Sequence, residues 1–378
     1  MKKRIKEYLH KNRRFLCLFL FLCVFAVAAV IFTANDYFLY KDKTVAEISS
    51  IEETPDHTEY SSSGEISETV WLQTVCARIV SGEGKGEDIT FNNLRTESNV
   101  FDTRYYSGDK IFVRLNDAGE WEVENVKRDT YVVAMFAFTL LILLLVGRKK
   151  GLLAFLSVAV NAAIFWGAIN LYLTGWNLVG VCLASSVIFT VVCLTLIGGF
   201  TKMTAISIIC TLTGTALTFG IACAVIYGLD FRGLYVEGLE YLIIATDYRV
   251  TFMSELLIGG LGATMDIAMS ISSALCELKE KDEKITFSAL LRSGREIGRD
   301  ISGTMTNVLL FTYLCGGIPL MMVIVRSGVP MLKYIFGNNN LEIARFLVGS
   351  IGIVLTVPVS YFVASVMLSR KRKAVKEK

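Results

Sequence analysis

The sequence predicts an all-α polytopic membrane bundle of about eight transmembrane helices, with one small β-barrel or β-sandwich domain outside the cytoplasm. Three observations lead there. Hydrophobic residues make up 53% of the 378 residues, and the mean hydropathy of +0.52 excludes an ordinary soluble enzyme. Several apolar runs approach or exceed about 18 residues, enough to cross a hydrocarbon core of roughly 30 Å at about 1.5 Å per residue. Only segment 35–130 breaks this pattern, with short alternating runs between turn residues.

Taken in order, residues 1–34 supply a basic tail and a first span over 15–34. The basic start and Ala26-Val27-Ala28 resemble a cleavable signal peptide, but the apolar run continues through Phe32, which favours an uncleaved anchor. Residues 41–66 are rich in Ser, Thr and Glu, lack an apolar face and read as a flexible stalk. The runs TVWLQTVCARIV, EDITFNNL, DKIFVRL and EWEVENV follow, separated by the turn-rich SGEGKG, YYSGD and NDAG. They predict four to six strands. Segment 35–130 holds 20 acidic and 10 basic residues, the balance of a solvated surface.

The remaining spans are 131–147, 151–173, 177–199, 203–227, 252–276, 301–325 and 346–368. They make a seven-helix domain over 131–369, followed by a basic tail, 370–378. Asn161 and Asn170 interrupt the second of these spans, and very short connections as far as 203 favour antiparallel neighbours. Within 228–250, LYVEGLEYLIIATDY has the pattern of an interfacial amphipathic helix. The connection 277–300 reads as a charge-dense loop whose basic residues anchor to anionic lipid. With the N-terminus inside, 23 Lys and Arg fall on the inner side, 5 in short outer loops and 10 in segment 35–130. That positive-inside bias predicts a membrane protein with both termini in the cytoplasm.

Of the nine cysteines only Cys76 lies in segment 35–130, so no disulfide forms within that domain. The two histidines, His10 and His57, lie outside every span, which leaves no histidine-based metal site in the membrane. The sequence holds no GxxxxGK[ST], HExxH or GxSxG, and no second intramembrane aspartate for an aspartyl dyad. These absences predict a protein that is not an enzyme and has neither cofactor nor nucleic-acid partner.

The most informative residue is Asp266, the only charge between Leu256 and Cys276. A carboxyl at bilayer depth costs about 2.5–3.5 kcal/mol on insertion scales, so such residues usually face a bundle interior or an aqueous path. Gly259, Gly262, Asp266, Ser270 and Ser273 recur at steps of three and four and share one helix face, which Glu277 extends. Gly303, Thr304 and Asn307, just beyond Arg299-Asp300, make the span 301–325 the expected partner; in the alternative, structural reading Asp266 fixes helix contact and Asn307 donates to it. The glycines 259, 262 and 303 would let backbones approach closely. Asp266, Ser270, Ser273, Thr304 and Asn307 would bind or carry an ion. Glu277, Arg299 and Asp300 would form an inner gate or ion pair.

GGLGATMDIAMSISSALCEL, followed after a charged connection by LLRSGREIGRDISGTMTNVLLFTYLCGG, resembles the signature of the YibE/F-like family of bacterial membrane proteins. The resemblance extends over most of 130–370, and YSGDKIFVR resembles the start of the longer members. The matching positions are Gly262, Asp266, Ser270, Ser273, Glu277, Ser293, Gly294, Gly298, Arg299, Asp300, Gly303, Thr304 and Asn307. The resemblance implies a multi-pass membrane protein and no particular activity. From the residues themselves, the expected function is an ion- or proton-coupled transporter or permease component. The alternative is a receptor or assembly scaffold whose β-domain binds a ligand or partner. Expected partners are the lipid bilayer, a small ion or solute, and a second copy or another membrane protein.

Overall fold

A computed structural model of the chain describes residues 13–35, 39–60, 67–99, 102–116, 119–228, 248–326, 328, 330 and 340–369. The chain divides into two compact units, Met1–Leu152 and Leu153–Lys378.

The first unit opens with helix α1 (Arg13–Ala34), whose large apolar side chains, such as Leu20 and Phe21, are exposed. Five strands follow: β1 (Thr44–Tyr60), β2 (Ser67–Ser81), β3 (Asp88–Thr96), β4 (Lys110–Leu115) and β5 (Trp121–Val126). They form one antiparallel sheet in the order β3-β2-β1-β4-β5. Alternate residues turn inward, as the two-residue strand repeat requires. Ala46 and Ile48, Val75, Ala77 and Ile79, Ile89, and Ile111 and Val113 close a core together with Tyr105. Gly82, at φ +98°, makes the turn after β2, where an added Cβ would lie 2.7 Å from the Thr44 Cα.

The four expected runs are strands β2 to β5. The stretch 41–66, expected as a stalk, instead supplies β1. Its partner accounts for this: β1 pairs with β2 from Val45 opposite Ser81 to Tyr60 opposite Ser67. The short VAEI alternation gives the core Val45, Ala46 and Ile48, and the polar remainder is held by ladder hydrogen bonds. A register shift between Pro55 and His57 accommodates a proline, which has no N–H to give. Strands β3 and β5 come into contact, but among the described residues no ladder joins those edges, so in place of the expected closed barrel or sandwich the domain forms one five-stranded sheet.

Helix α2 (Asp129–Leu173) is 45 residues long and broken at Arg148, which has φ 50° and ψ −126°. Gly151 lies so close to the Leu143 carbonyl that an added Cβ would be 1.8 Å from its oxygen. Eight residues of straight helix would separate them by about 12 Å. The chain therefore turns sharply within 143–151, at the basic cluster 148–150.

The second unit contains α3 (Leu178–Gly198), α4 (Lys202–Gly228), α5 (Tyr248–Lys281), α6 (Phe287–Arg326) and α7 (Asn340–Ser369). Helix α5 packs against α3, α4, α6 and α7, and α4 and α6 both pack on α7. Ile206, Ile267, Ile271, Leu275, Leu309 and Ile353 lie at the centre of this core. Among the described residues, six helices are long and apolar enough to cross a membrane, with α2 counted once and α6 not among them. Most of the amphipathic stretch expected in 228–250, and the basic tails before residue 13 and after 369, fall outside the described residues.

Candidate intramembrane site

Helices α5 and α6 are joined by a short turn. The Thr286 hydroxyl accepts the Ala289 N–H at 3.2 Å and caps α6, while Lys279 Nζ donates to the Glu283 carbonyl at 2.6 Å. The expected loop 277–300 is thus mostly helix: α5 runs to Lys281 and α6 begins at Phe287, well before residue 301. Dense charge of both signs resembled a loop in the sequence. On a helix it spreads over exposed faces while Leu290, Gly294 and Gly298 stay buried.

Each helix has two distinct faces. On α5, Leu257, Leu261, Ile267, Ala268, Ile271 and Leu275 are buried in the bundle. Gly259, Gly262, Asp266, Ser270, Ser273 and Glu277 form the expected single stripe, and every one of them is exposed on the lone chain. On α6, Ile297, Ile301, Met305 and Leu309 face the core, while Arg299, Asp300, Gly303, Thr304 and Asn307 are exposed. The helical repeat explains the division, because steps of three and four hold a residue type to one side. The polar residues of both helices therefore lie outside this chain's own core.

Their contacts are sparse. Among the described residues, the side chains of Asp266, Ser270, Ser273 and Asn307 form no hydrogen bond or ion pair, and Asn307 does not reach Asp266. Thr304 donates to the Ile301 carbonyl of its own helix at 2.8 Å. Glu277 pairs with Lys281 one turn on, at 2.8 Å. Arg299 and Asp300 are exposed and form no ion pair with each other. A Cβ on Gly259 would meet the Tyr313 hydroxyl at 2.9 Å, whereas Gly262 and Gly303 face open space.

Two further glycines of the signature are packing residues. A Cβ on Gly294 would lie 2.5 Å from the Tyr361 Cβ, and one on Gly298 would lie 2.2 Å from Val357 Cγ1. They let α6 settle on α7. The signature therefore combines glycines that face the core with a polar stripe that faces away from it.

Sequence reasoning missed a second polar region, the seam between α4 and α7. A Cβ on Gly214 would meet Thr356 Oγ1 at 2.4 Å, and one on Gly352 would meet Thr218 Oγ1 at 2.1 Å. Each threonine occupies the gap over the opposite helix's glycine and donates to the glycine carbonyl of its own helix, at 2.9 Å for Thr218 and 2.8 Å for Thr356. The legible signal was the pair GTALT and GIVLT, each with Thr four residues after Gly. Nearby, the hydroxyl oxygens of Thr215, Ser272 and Ser360 are buried without a hydrogen-bond partner among the described residues. A cavity of about 10 Å³, enough for one water, opens between Thr215, Thr218 and Thr264. An ion pair also joins α5 to α7, Arg345 Nη2 lying 3.0 Å from Glu255 Oε2. Among the described residues no three His, Cys, Asp or Glu converge on a metal position.

Comparison with known families extends this picture. Residues 135–370 match the family described as YibE/F-like protein, and residues 38–127 match the YibE/F family N-terminal domain. No curated protein and no solved structure matches the chain.

Proposed function

The chain belongs to the YibE/F-like family, and from that premise we propose that it is a component of an ion- or proton-coupled permease whose route runs along the α5–α6 polar face. In this reading eight spans cross a bacterial cytoplasmic membrane with both termini inside, and the sheet domain stands outside. Asp266 carries the proton or cation. Ser270, Ser273, Thr304 and Asn307 line the path, while Glu277, Arg299 and Asp300 stand at its inner mouth.

One observation carries the proposal: Asp266 and its polar neighbours lie exposed on one face of α5, and Arg299, Asp300, Thr304 and Asn307 lie exposed on α6, all outside the chain's own core. Lipid is a poor neighbour for that face, because a charge there costs about 2.5–3.5 kcal/mol even on the mildest scales. A second protein subunit, another copy or a partner, would cover the stripe and enclose an aqueous path. Gly262 and Gly303, open on the lone chain, would admit its backbone. The chain performs no bond-making chemistry in this reading. Substrate and direction are fixed by flux: proteoliposomes holding the full chain should pass protons or a cation down an imposed gradient. Passive liposomes and equal flux from a variant lacking the carboxylate would both contradict the proposal.

A further inference from the structure

We propose that a groove in the first unit, beside the ends of α1 and α2, binds the phosphate-bearing headgroup of an anionic lipid. This inference stands apart from the transport reading and concerns different residues.

The groove has a volume of about 620 Å³, within the roughly 300–1,000 Å³ typical of small-molecule sites. Its position comes from a buried lysine. Lys127 Nζ donates to the Thr33 carbonyl at the end of α1, 2.7 Å away, and lies 3.1 Å from Asp129 at the start of α2. Both apolar helices therefore end at one level, with the groove opening beside them. One wall is apolar: Tyr131, Val132 and Met135, on the first turns of α2, are 71%, 48% and 72% exposed. Arg104, Lys110 and Arg128 also line it and make it basic.

Charge makes the match specific. Segment 35–130 has 20 acidic and 10 basic residues, yet Arg104, Lys110, Lys127 and Arg128 all line this groove. Lys127 is neutralised by Asp129. Arg104 is shared with Glu53 at 3.1 Å, and Asp109, which accepts the Tyr106 N–H at 2.9 Å, is the acid of the groove. Arg128 is exposed and forms no salt bridge among the described residues. A cationic cleft in an acidic domain, walled by the first turns of an apolar helix, fits a ligand that is anionic at one end and hydrocarbon at the other. Guanidinium groups suit phosphate because their planar donors meet its oxygens in pairs. The apolar wall takes the glycerol and upper acyl chain, which a free phosphate does not have.

Native mass spectrometry of the full-length protein in detergent tests this by titration with phosphatidylglycerol, phosphatidylcholine and inorganic phosphate. Arg128→Gln should weaken the tightest phosphatidylglycerol by about fivefold, the scale of one basic residue at an anionic surface. Arg104→Gln/Arg128→Gln should weaken it further, and Arg128→Lys, which keeps the charge but not the paired donors, should restore only part of the loss. Arg128 is exposed, so its single variants keep the test readable if the double variant unfolds. Unchanged phosphatidylglycerol binding in Arg128→Gln would overturn the proposal. So would equal binding of phosphatidylcholine, which needs only the apolar wall, or displacement of the lipid by inorganic phosphate.

Discussion

Asp266 was legible because of its neighbours: a single charge within an apolar run stands out in any window. What no window reveals is which way the residue points once the helix packs. That depends on the identity of the packing faces, and here Ile267, Ala268 and Ile271 claim the core and turn Asp266 outward. Residue chemistry in the sheet is more local. His57 pairs with Asp56 at 2.8 Å and lies near Glu59. The hydrogen bond to Asp56 is the main cause holding its imidazole above the usual 6.5. A raised value means the folded state binds the proton more tightly than the unfolded chain. Its stabilisation is therefore complete below pH 6.5 and lost as pH rises through the raised value. An NMR titration of His57 should give a midpoint above 6.5, and Asp56→Asn should lower it. Because the site is exposed, the effect on total stability should be slight.

Among the elements, the clearest expectation concerns the α4–α7 seam. Gly214 and Gly352 are each filled by a threonine from the opposite helix, so adding volume there is overpacking. Gly352→Val should destabilise the bundle by about 1–3 kcal/mol, read as a lower unfolding midpoint in detergent. Thr218→Ala should recover part of that loss, since it empties the space the new side chain needs. Gly298→Val should be similarly costly because Val357 occupies its surface, while Gly303→Val should leave the isolated chain's midpoint nearly unchanged. Elements were legible where one segment carried its own signal: the strands β2 to β5 and the apolar helices. They were not legible where a partner supplied the order. Strand β1 is polar over most of its length and is held by β2. Likewise, the charged half of α6 is held as helix by a buried line through Leu290, Gly294 and Gly298.

For the whole molecule, the issue is what covers the α5–α6 stripe. If a second subunit seals it, a photo-crosslinking residue at Ser270 should join this chain to another polypeptide in native membranes. The same residue at Phe138, an exposed apolar position on α2, should label lipid instead. Lipid-only labelling at both positions would leave the stripe uncovered and remove the enclosed path. Assembly of this kind is where sequence reading stops, because a face toward a partner subunit and a face toward the protein's own core have the same helical spacing.

The most direct test is proton or cation flux into proteoliposomes carrying an internal pH dye, with wild type and Asp266→Asn compared at equal insertion and equal unfolding midpoint. The account predicts gradient-driven flux in the wild type and none in the variant, which keeps the size of the side chain and loses its charge. Equal flux in the two proteins would contradict it, since the route would then not pass Asp266.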